Sequence, residues 1–456
     1  MPTIIEQLRD LPTHIKRRDS ALHMQDDISL TGFAKAARKN NKDIKETWRD
    51  FDLTPYLDGE LVTPQREEQA PHVNVACNIP LLEATHLAAV NGFCYEPLRR
   101  LKNGIVMGGL REAMLQCPEL VDCYLGQAIK RGNPYQQLNA QHFSDGLFVF
   151  VPNGVAEEQP IQLQAIANNP QDMLMLTRNL IVVGDGAQVS FIHCDDSATP
   201  RRSVASNVTE LIIGASSNVQ YYKMQNLNND SALLNQCFVW MQHDTKLLSN
   251  AITFNGGHIR NHTEIRMAGE QGHAEAHGLY LIDKNQRAEN YVYVEHNAPN
   301  CVSHELFKGI VDDSAHAGFS GHVLVCEGAT KTEAYMSNKN ILLTDKATIS
   351  THPFLEIYND DVKCSHGTTT GQVNEEEMFY LRSRGIGERT ARTLLLYAFC
   401  DELVQKIEHP TLKEAVGDMV KKRLHGELTP CSECAIPCSS PCNGPAANFR
   451  IDRNKL

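Results

Sequence analysis

Fourteen cysteines and nineteen histidines are spread along this 456-residue chain, and at two places their spacing departs from scatter. The first is Asp360-Asp361-Val362-Lys363-Cys364-Ser365-His366-Gly367-Thr368. In an extended segment, residues two apart share a face. Cys364 and His366 would then project side by side, with backbones roughly 7 Å apart. A thiolate and an imidazole are ligands suited to iron or zinc. Two ligands leave a site half complete, so a second chain, a substrate or a water must supply the rest. A buried cysteine beside a hydrogen-bonded histidine is the other reading. A thiol–imidazole nucleophile pair is disfavoured, because residues on one strand face stand too far apart for the activating hydrogen bond.

The second place is Cys431-x2-Cys434-x3-Cys438-x3-Cys442, four thiols close enough in sequence to wrap one metal ion or a cluster. The spacing is neither a ferredoxin nor a zinc-ribbon pattern, and Pro437 and Pro441 stiffen the loop; a reduced tail without a ligand is the alternative. His296, His304, His316, His322 and His352, with Cys301 and Cys326, show no ligand spacing and read as structural. Leu381-Arg382-Ser383-Arg384-Gly385-Ile386-Gly387-Glu388 has the outline of a helix-hairpin-helix that holds DNA phosphate. Glu375, Glu376, Glu377 and Glu388 beside it repel phosphate, and two helices packed through a glycine turn is the plainer reading.

Several classes are excluded. A net charge of −12 argues against a nucleic-acid binder. No G-x-x-x-x-G-K-[S/T] is present, so the chain does not hold ATP in that way. Apolar runs such as Leu180–Val183 and Leu211–Ile213 are far short of a membrane span. Met1–Asp10 lacks the apolar centre of a secretory signal, which leads us to expect a cytosolic protein with reduced thiols.

The elements that must position these residues change period twice. Residues 1 to about 130 read as helical: Ile4, Ile5, Leu8 and Leu11, then Leu30, Phe33, Ala34 and Ala37 behind Ser29, recur at helical spacing. Trp48, Phe51 and Leu53 add an apolar patch, Thr54–Pro71 is a proline-bearing loop, and a further helical pattern covers Leu120–Ile129. From about 140 the period becomes two. Leu147–Val151 is a strand, and Ile181–Val183, Val189–Ile192, Leu211–Ile213, Val219–Tyr222 and Phe238–Met241 follow without intervening helices. Small polar turns precede Val189, Val219, Leu247 and Ala274, at steps of 30, 28 and 27 residues (189→219→247→274). Such a step suits a solenoid, although a β-sandwich remains open on pattern alone. Near 374 the period returns to helical: Asn374 caps a helix Glu375–Ser383 that stops at Gly385, and helices from Glu388 to Ile407 and Leu412 to Leu424 follow.

Four blocks then carry a family resemblance: Asn340-Ile341-Leu342-Leu343 with Ala347; Pro353 with Leu355-Glu356-Ile357; Asp361–Gly367; and Phe379-Tyr380-Leu381-Arg382-Ser383-Arg384-Gly385-Ile386. Together they resemble the SufB/SufD scaffold family of the SUF iron–sulfur assembly system, and the Cys-Ser-His-Gly run resembles SufD. The resemblance is strongest over 290–400 and extends over 140–290. It implies a mainly β fold: an N-terminal helical domain (1–135), a right-handed parallel β-helix core (136–373), a C-terminal helical region that docks an ATPase (374–426), and a Cys-rich tail (427–456). It also implies a non-enzymatic scaffold that pairs with a SufB-like subunit through the β-helix. A SufC-like ABC ATPase would dock through the C-terminal helices, near Arg382, Arg384 and Gly385. His366 then matches the family's interface histidine, opposite a SufB cysteine, with Cys364 on the same face. The cofactor implied is a transient cluster or iron at that interface, with no permanent one, and the isolated chain is a candidate homodimer. The four-cysteine tail departs from the family's ending, so no role carries over to it.

Two competing readings remain. Asp195-Asp196, Asp312-Asp313 and Asp360-Asp361 would serve a β-helix polysaccharide-active enzyme if they clustered. The Gly-Ile-Gly turn would serve a DNA-associated module, which the acidic balance disfavours.

Overall fold

The computed structural model describes residues 48, 51, 53–56, 61–71, 73, 79 and 82–425. The helical patterns before Trp48 and the tail cysteines Cys431, Cys434, Cys438 and Cys442 lie outside the described residues. Four strands lead in: β1 (Thr85–Val90), β2 (Phe93–Cys94), β3 (Arg99–Arg100) and β4 (Val106–Gly109). From there the chain alternates between two sheets. One takes β5 (Leu147–Val151), β7 (Met173–Val183), β9 (Ser203–Ile213), β11 (Ala232–Met241), β13 (His258–Met267), β15 (Arg287–His296), β17 (His316–Val325) and β19 (Thr348–Ile357). The other takes β6 (Ile161–Ala167), β8 (Gln188–Ser197), β10 (Asn218–Asn226), β12 (Lys246–Asn255), β14 (His273–Ile282), β16 (Val302–Val311), β18 (Thr332–Leu342) and β20 (Val362–Gly371). Within each set, every neighbouring pair is parallel, giving a β-helix of about eight two-strand turns.

The sequence repeat is the pitch of this helix. Val189, Val219, Leu247 and Ala274 are register partners on β8, β10, β12 and β14. The small polar turns before them are its corners, each holding one residue in the left-handed region: Gly186 (φ 66°), Ser216 (53°), Asp244 (55°) and Gln271 (61°). Alternation puts one face of each strand inside, where Val189, Phe191, Val219, Tyr221, Leu247, Val292, Phe307 and Phe319 form one continuous core. The interior also carries a ladder of buried amides. Asn207, Asn235, Asn261 and Asn290 stand in register on four successive strands, and Asn235 Nδ2 donates to Asn261 Oδ1 (3.1 Å).

Among the described residues, six α-helices cover the flanks. α1 (Leu110–Gln116) and α2 (Pro118–Tyr124) bury Leu110, Ala113, Leu120 and Val121 against Phe148, Phe150, Leu180 and Val182 on the outer face of the first sheet. α3 (Pro134–His142) is capped by Asn133, whose side chain accepts from Gln136 N (2.9 Å). α4 (Glu375–Ser383), α5 (Glu388–Val404) and α6 (Pro410–His425) close the described chain. α5 and α6 bury Leu396, Cys400, Leu403, Leu412 and Val416 against Tyr222, Leu248, Ile252 and Leu279 on the outer face of the second sheet. No helix among the described residues is long and apolar enough to cross a membrane.

The all-helical reading of residues 1 to about 130 needs correction. Four short strands lie within 85–109, and β1 lies beside β6 in the second sheet. Thr-His-Leu-Ala-Ala-Val is too short and Ala-rich to announce a strand; pairing with β6 decides it. The helix expected over Leu120–Ile129 stops at Tyr124, because Leu125 is extended and Gly126 takes φ 86°.

Candidate functional site at the open end of the β-helix

β20 pairs with β18 alone among the described strands, and β19 likewise ends its sheet at β17. The last turn of the β-helix therefore presents two open edges, an arrangement that invites a further strand. Two interior rows of side chains run out there. One passes through Val189, Val219, Leu247, Ala274, Ser303 and Ala334 to Cys364. The next passes through Phe191, Tyr221, Ser249, Ala276, Glu305 and Met336 to His366. Positions that are core elsewhere hold a thiol and an imidazole on the terminal rung.

Cys364 is half-buried against the main core and His366 is exposed. Burial pushes the Cys364 thiol up, against a weaker pull from the backbone at Ala334, so it is a protonated thiol at neutral pH until a metal displaces the proton. Two strands inward on the His366 row, Glu305 is fully buried and neither carboxylate oxygen has a hydrogen-bond partner among the described residues. Burial raises its carboxyl well above the ordinary range, which keeps it a neutral acid. Around this end Tyr335, Phe354, Ile357 and Tyr358 are exposed, an apolar rim on an otherwise acidic protein.

The second predicted cluster lies at the α4–α5 turn. Asn374 caps α4 by accepting from Glu376 N (2.9 Å) and Glu377 N (3.3 Å). Gly385 follows its last turn at φ 83°, a left-handed conformation that side chains rarely adopt. Arg382 faces Glu388 at 3.9 Å, Arg384 lies over the Tyr380 ring at 5.2 Å, and Phe379 and Tyr380 are 75% and 57% exposed. Arg382, Arg384 and Gly385 thus share one exposed, partly aromatic surface. Arg392 also reaches Glu388 (3.5 Å), so this turn is no free cationic cradle for phosphate.

The three aspartate pairs do not come together. Asp195 is buried and ion-paired with Lys223 (2.8 Å), whereas Asp312-Asp313 and Asp360-Asp361 sit at corners of the β-helix. β8 and β16 are four strands apart, about 19 Å at ordinary strand spacing. The scattered histidines mostly serve packing: His296 Nε2 meets Ser303 Oγ (2.9 Å), and His322 lies between Tyr293 and Phe354. His304 is different. It faces His273 and Glu275, neither of which the spacing singled out; adding one pitch of 29 residues to Glu275 would have found it (275→304).

Comparison with known proteins bears on this geometry. The family described as SUF system FeS cluster assembly, SufBD core domain, matches residues 165–399, and the SufBD protein N-terminal region matches 16–163. The chain belongs to the SufBD family. Among its relatives is iron-sulfur cluster assembly protein SufD of Escherichia coli, 32% identical over 249 residues, covering 55% of this chain and 59% of that one. SufBD family iron-sulfur cluster assembly proteins of Synechocystis (28% identical; 76% of this chain, 79% of that one) and Mycobacterium leprae (30%; 72% and 88%) match over longer spans. This is a SufD-like member of an iron–sulfur cluster assembly family.

Proposed function

We propose that this SufBD-family protein is a non-catalytic scaffold subunit. In this reading it pairs through β19 and β20 with a SufB-like subunit and binds a SufC-like ABC ATPase through α4–α6. Iron or a nascent cluster is held transiently at the shared edge, with His366 and Cys364 on this side and the remaining ligands on the other. The observation that carries the reading is the open terminal rung, where two core rows end in ligand-type side chains inside an apolar rim. Edge addition would pair the free backbone groups and cover the rim. It would also complete a half-made ligand set. The tail thiols Cys431, Cys434, Cys438 and Cys442 would capture or deliver metal. The reading includes a cytosolic location and a homodimer when the partner is absent.

The acid pairs support no hydrolase, since Asp195 is held by Lys223 and the others cap corners.

The test is co-expression with the host's SufB-like and SufC-like proteins, followed by native mass and in-cell activity of iron–sulfur enzymes. We expect one copy of this chain, one SufB-like subunit and two ATPases. His366→Ala should leave that complex intact while lowering cluster-dependent activity under iron limitation. Failure to associate with either partner removes the scaffold reading; full activity of the variant removes His366 from the site.

A further inference from the structure

The outer face of the second sheet carries a group of side chains that the scaffold role does not use. Ala274 and Ala276 face the core, so His273, Glu275 and His277 on β14 face outward, two residues apart. On the next strand His304 is the register partner of Glu275. One ligand atom each from His273, Glu275 and His304 lies within 4.8 Å of the others. His273 Nε2 is 3.5 Å from Glu275 Oε1, and the His273 and His304 rings stand edge to face with centroids 5.8 Å apart.

The other carboxylate oxygen is already fixed. Glu275 Oε2 is 3.1 Å from Lys406 Nζ, just beyond α5, and 3.4 Å from Nε2 of the buried His277. These contacts orient the carboxylate so that Oε1 is left facing the two imidazoles, which is how outer partners commonly prepare a metal ligand. His273 and Glu275 keep 37% and 25% of their side-chain surface open. Solvent can therefore reach the group and fill the remaining coordination positions.

We propose that His273, Glu275 and His304 form a binding site for a divalent first-row transition-metal ion, completed by water. Two imidazoles and one carboxylate select this class over calcium or magnesium, which prefer all-oxygen shells. The side chains need only close from their present separation to the 3–4 Å between ligand atoms of a metal with bonds of about 2.1 Å. Lys406 opposes the ion by its charge while steering the carboxylate, so it limits affinity. The site lies on the face opposite Cys364 and His366, and on β14 and β16 rather than β20. It is therefore separable from the proposed interface.

The probe is Co2+ added to the full-length chain bearing Cys364→Ser, Cys431→Ser, Cys434→Ser, Cys438→Ser and Cys442→Ser, which removes the competing thiols of the open edge and the tail. We expect one Co2+ per chain with weak d–d absorption and no sulfur charge-transfer band. His304→Ala and Glu275→Gln should each weaken binding by tenfold or more, His316→Ala should leave it unchanged, and Lys406→Met should tighten it severalfold. Thermal melting identifies any variant that has lost its fold, and the Lys406→Met result stands independently of such loss. No bound Co2+, a thiolate-type spectrum, or unchanged affinity in His304→Ala and Glu275→Gln overturns the proposal.

Discussion

Glu289 shows how a single residue on the β-helix supports a contact with the N-terminal segment. It is buried on β15, with Oε2 2.6 Å from Arg260 Nη1 and Oε1 2.9 Å from His258 Nε2. Arg260 in turn lies over the Trp48 ring at 4.1 Å. Glu289→Gln takes a carboxylate away from the buried Arg260 guanidinium and the buried His258 ring, for which we expect a loss of about 3 kcal/mol in urea unfolding near neutral pH. Burial pushes the Glu289 carboxyl up, but the hydrogen bond from His258 and the Arg260 charge outweigh it and hold the group below the usual glutamate range of about 4.5. The folded state therefore binds this proton less readily than the unfolded state. The stabilisation is present above pH 4.5 and disappears as pH falls through the lower folded value. The gap between wild type and Glu289→Gln should narrow as pH falls below about 4.5. A gap that widens in acid would show that the pair is not the source of the difference. Of these residues the sequence marked only Trp48, as part of an apolar patch; a charged triad spread over β13 and β15 becomes visible only with the register.

At the level of elements, the interior amide ladder and the α4–α5 turn make contrasting demands. Asn261 is central in the ladder: its amide donates to Gln225 Oε1 (3.0 Å) and Asn290 Oδ1 (3.2 Å), and its carbonyl accepts from Gln225 Nε2 (2.8 Å) and Asn235 Nδ2 (3.1 Å). Asn261→Ala strands several buried polar groups at once, for an expected cost of about 3 kcal/mol. Asn290→Ala, at the end of the ladder, should cost about 1 kcal/mol. The reverse order in thermal or urea unfolding would mean that the ladder is incidental to packing. Gly385 is a different case, because its constraint is φ 83° while the space a side chain would enter is open. Gly385→Val should strain the turn by about 1–2 kcal/mol and expose it to limited proteolysis, with Gly385→Ala milder. Equal protease resistance in all three proteins would refute the strain argument. The helices α4 to α6 were legible because caps and stops are local signals: Asn374, Gly385 and the 3.6 period lie within one segment. The early strands β1 to β4 were not, since β1 is a strand by virtue of β6, more than seventy residues away. The repeat of 30, 28 and 27 residues did reveal the solenoid, but only a family likeness chose it over a sandwich. The Cys364–His366 face was legible from alternation, whereas the His273, Glu275 and His304 group needed the pitch and the strand order together.

For the whole molecule, the two ends of the β-helix are unlike, and this asymmetry predicts a gradient of stability. At the first end, β2 and β3 pair antiparallel with β1 and β4, and α1 and α2 bury the outer face of the opening strands. In the middle, each strand has a neighbour on both sides, and nearest-neighbour coupling makes every rung depend on the next. At the far end, β19 and β20 have one neighbour each and exposed Phe354, Ile357 and Tyr358 beside them. Hydrogen exchange on the isolated chain should therefore be slowest over β8 to β14 and fastest over β19 and β20, within the described residues. Adding a SufB-like partner should slow β20 selectively and leave β8 to β12 unchanged. If β20 is already protected in the isolated chain at high concentration and loses that protection on dilution, the edge is covered by a second copy. If β20 is protected at every concentration, the edge is closed within the monomer and the strand-addition reading fails, because no free backbone would remain for a partner to pair.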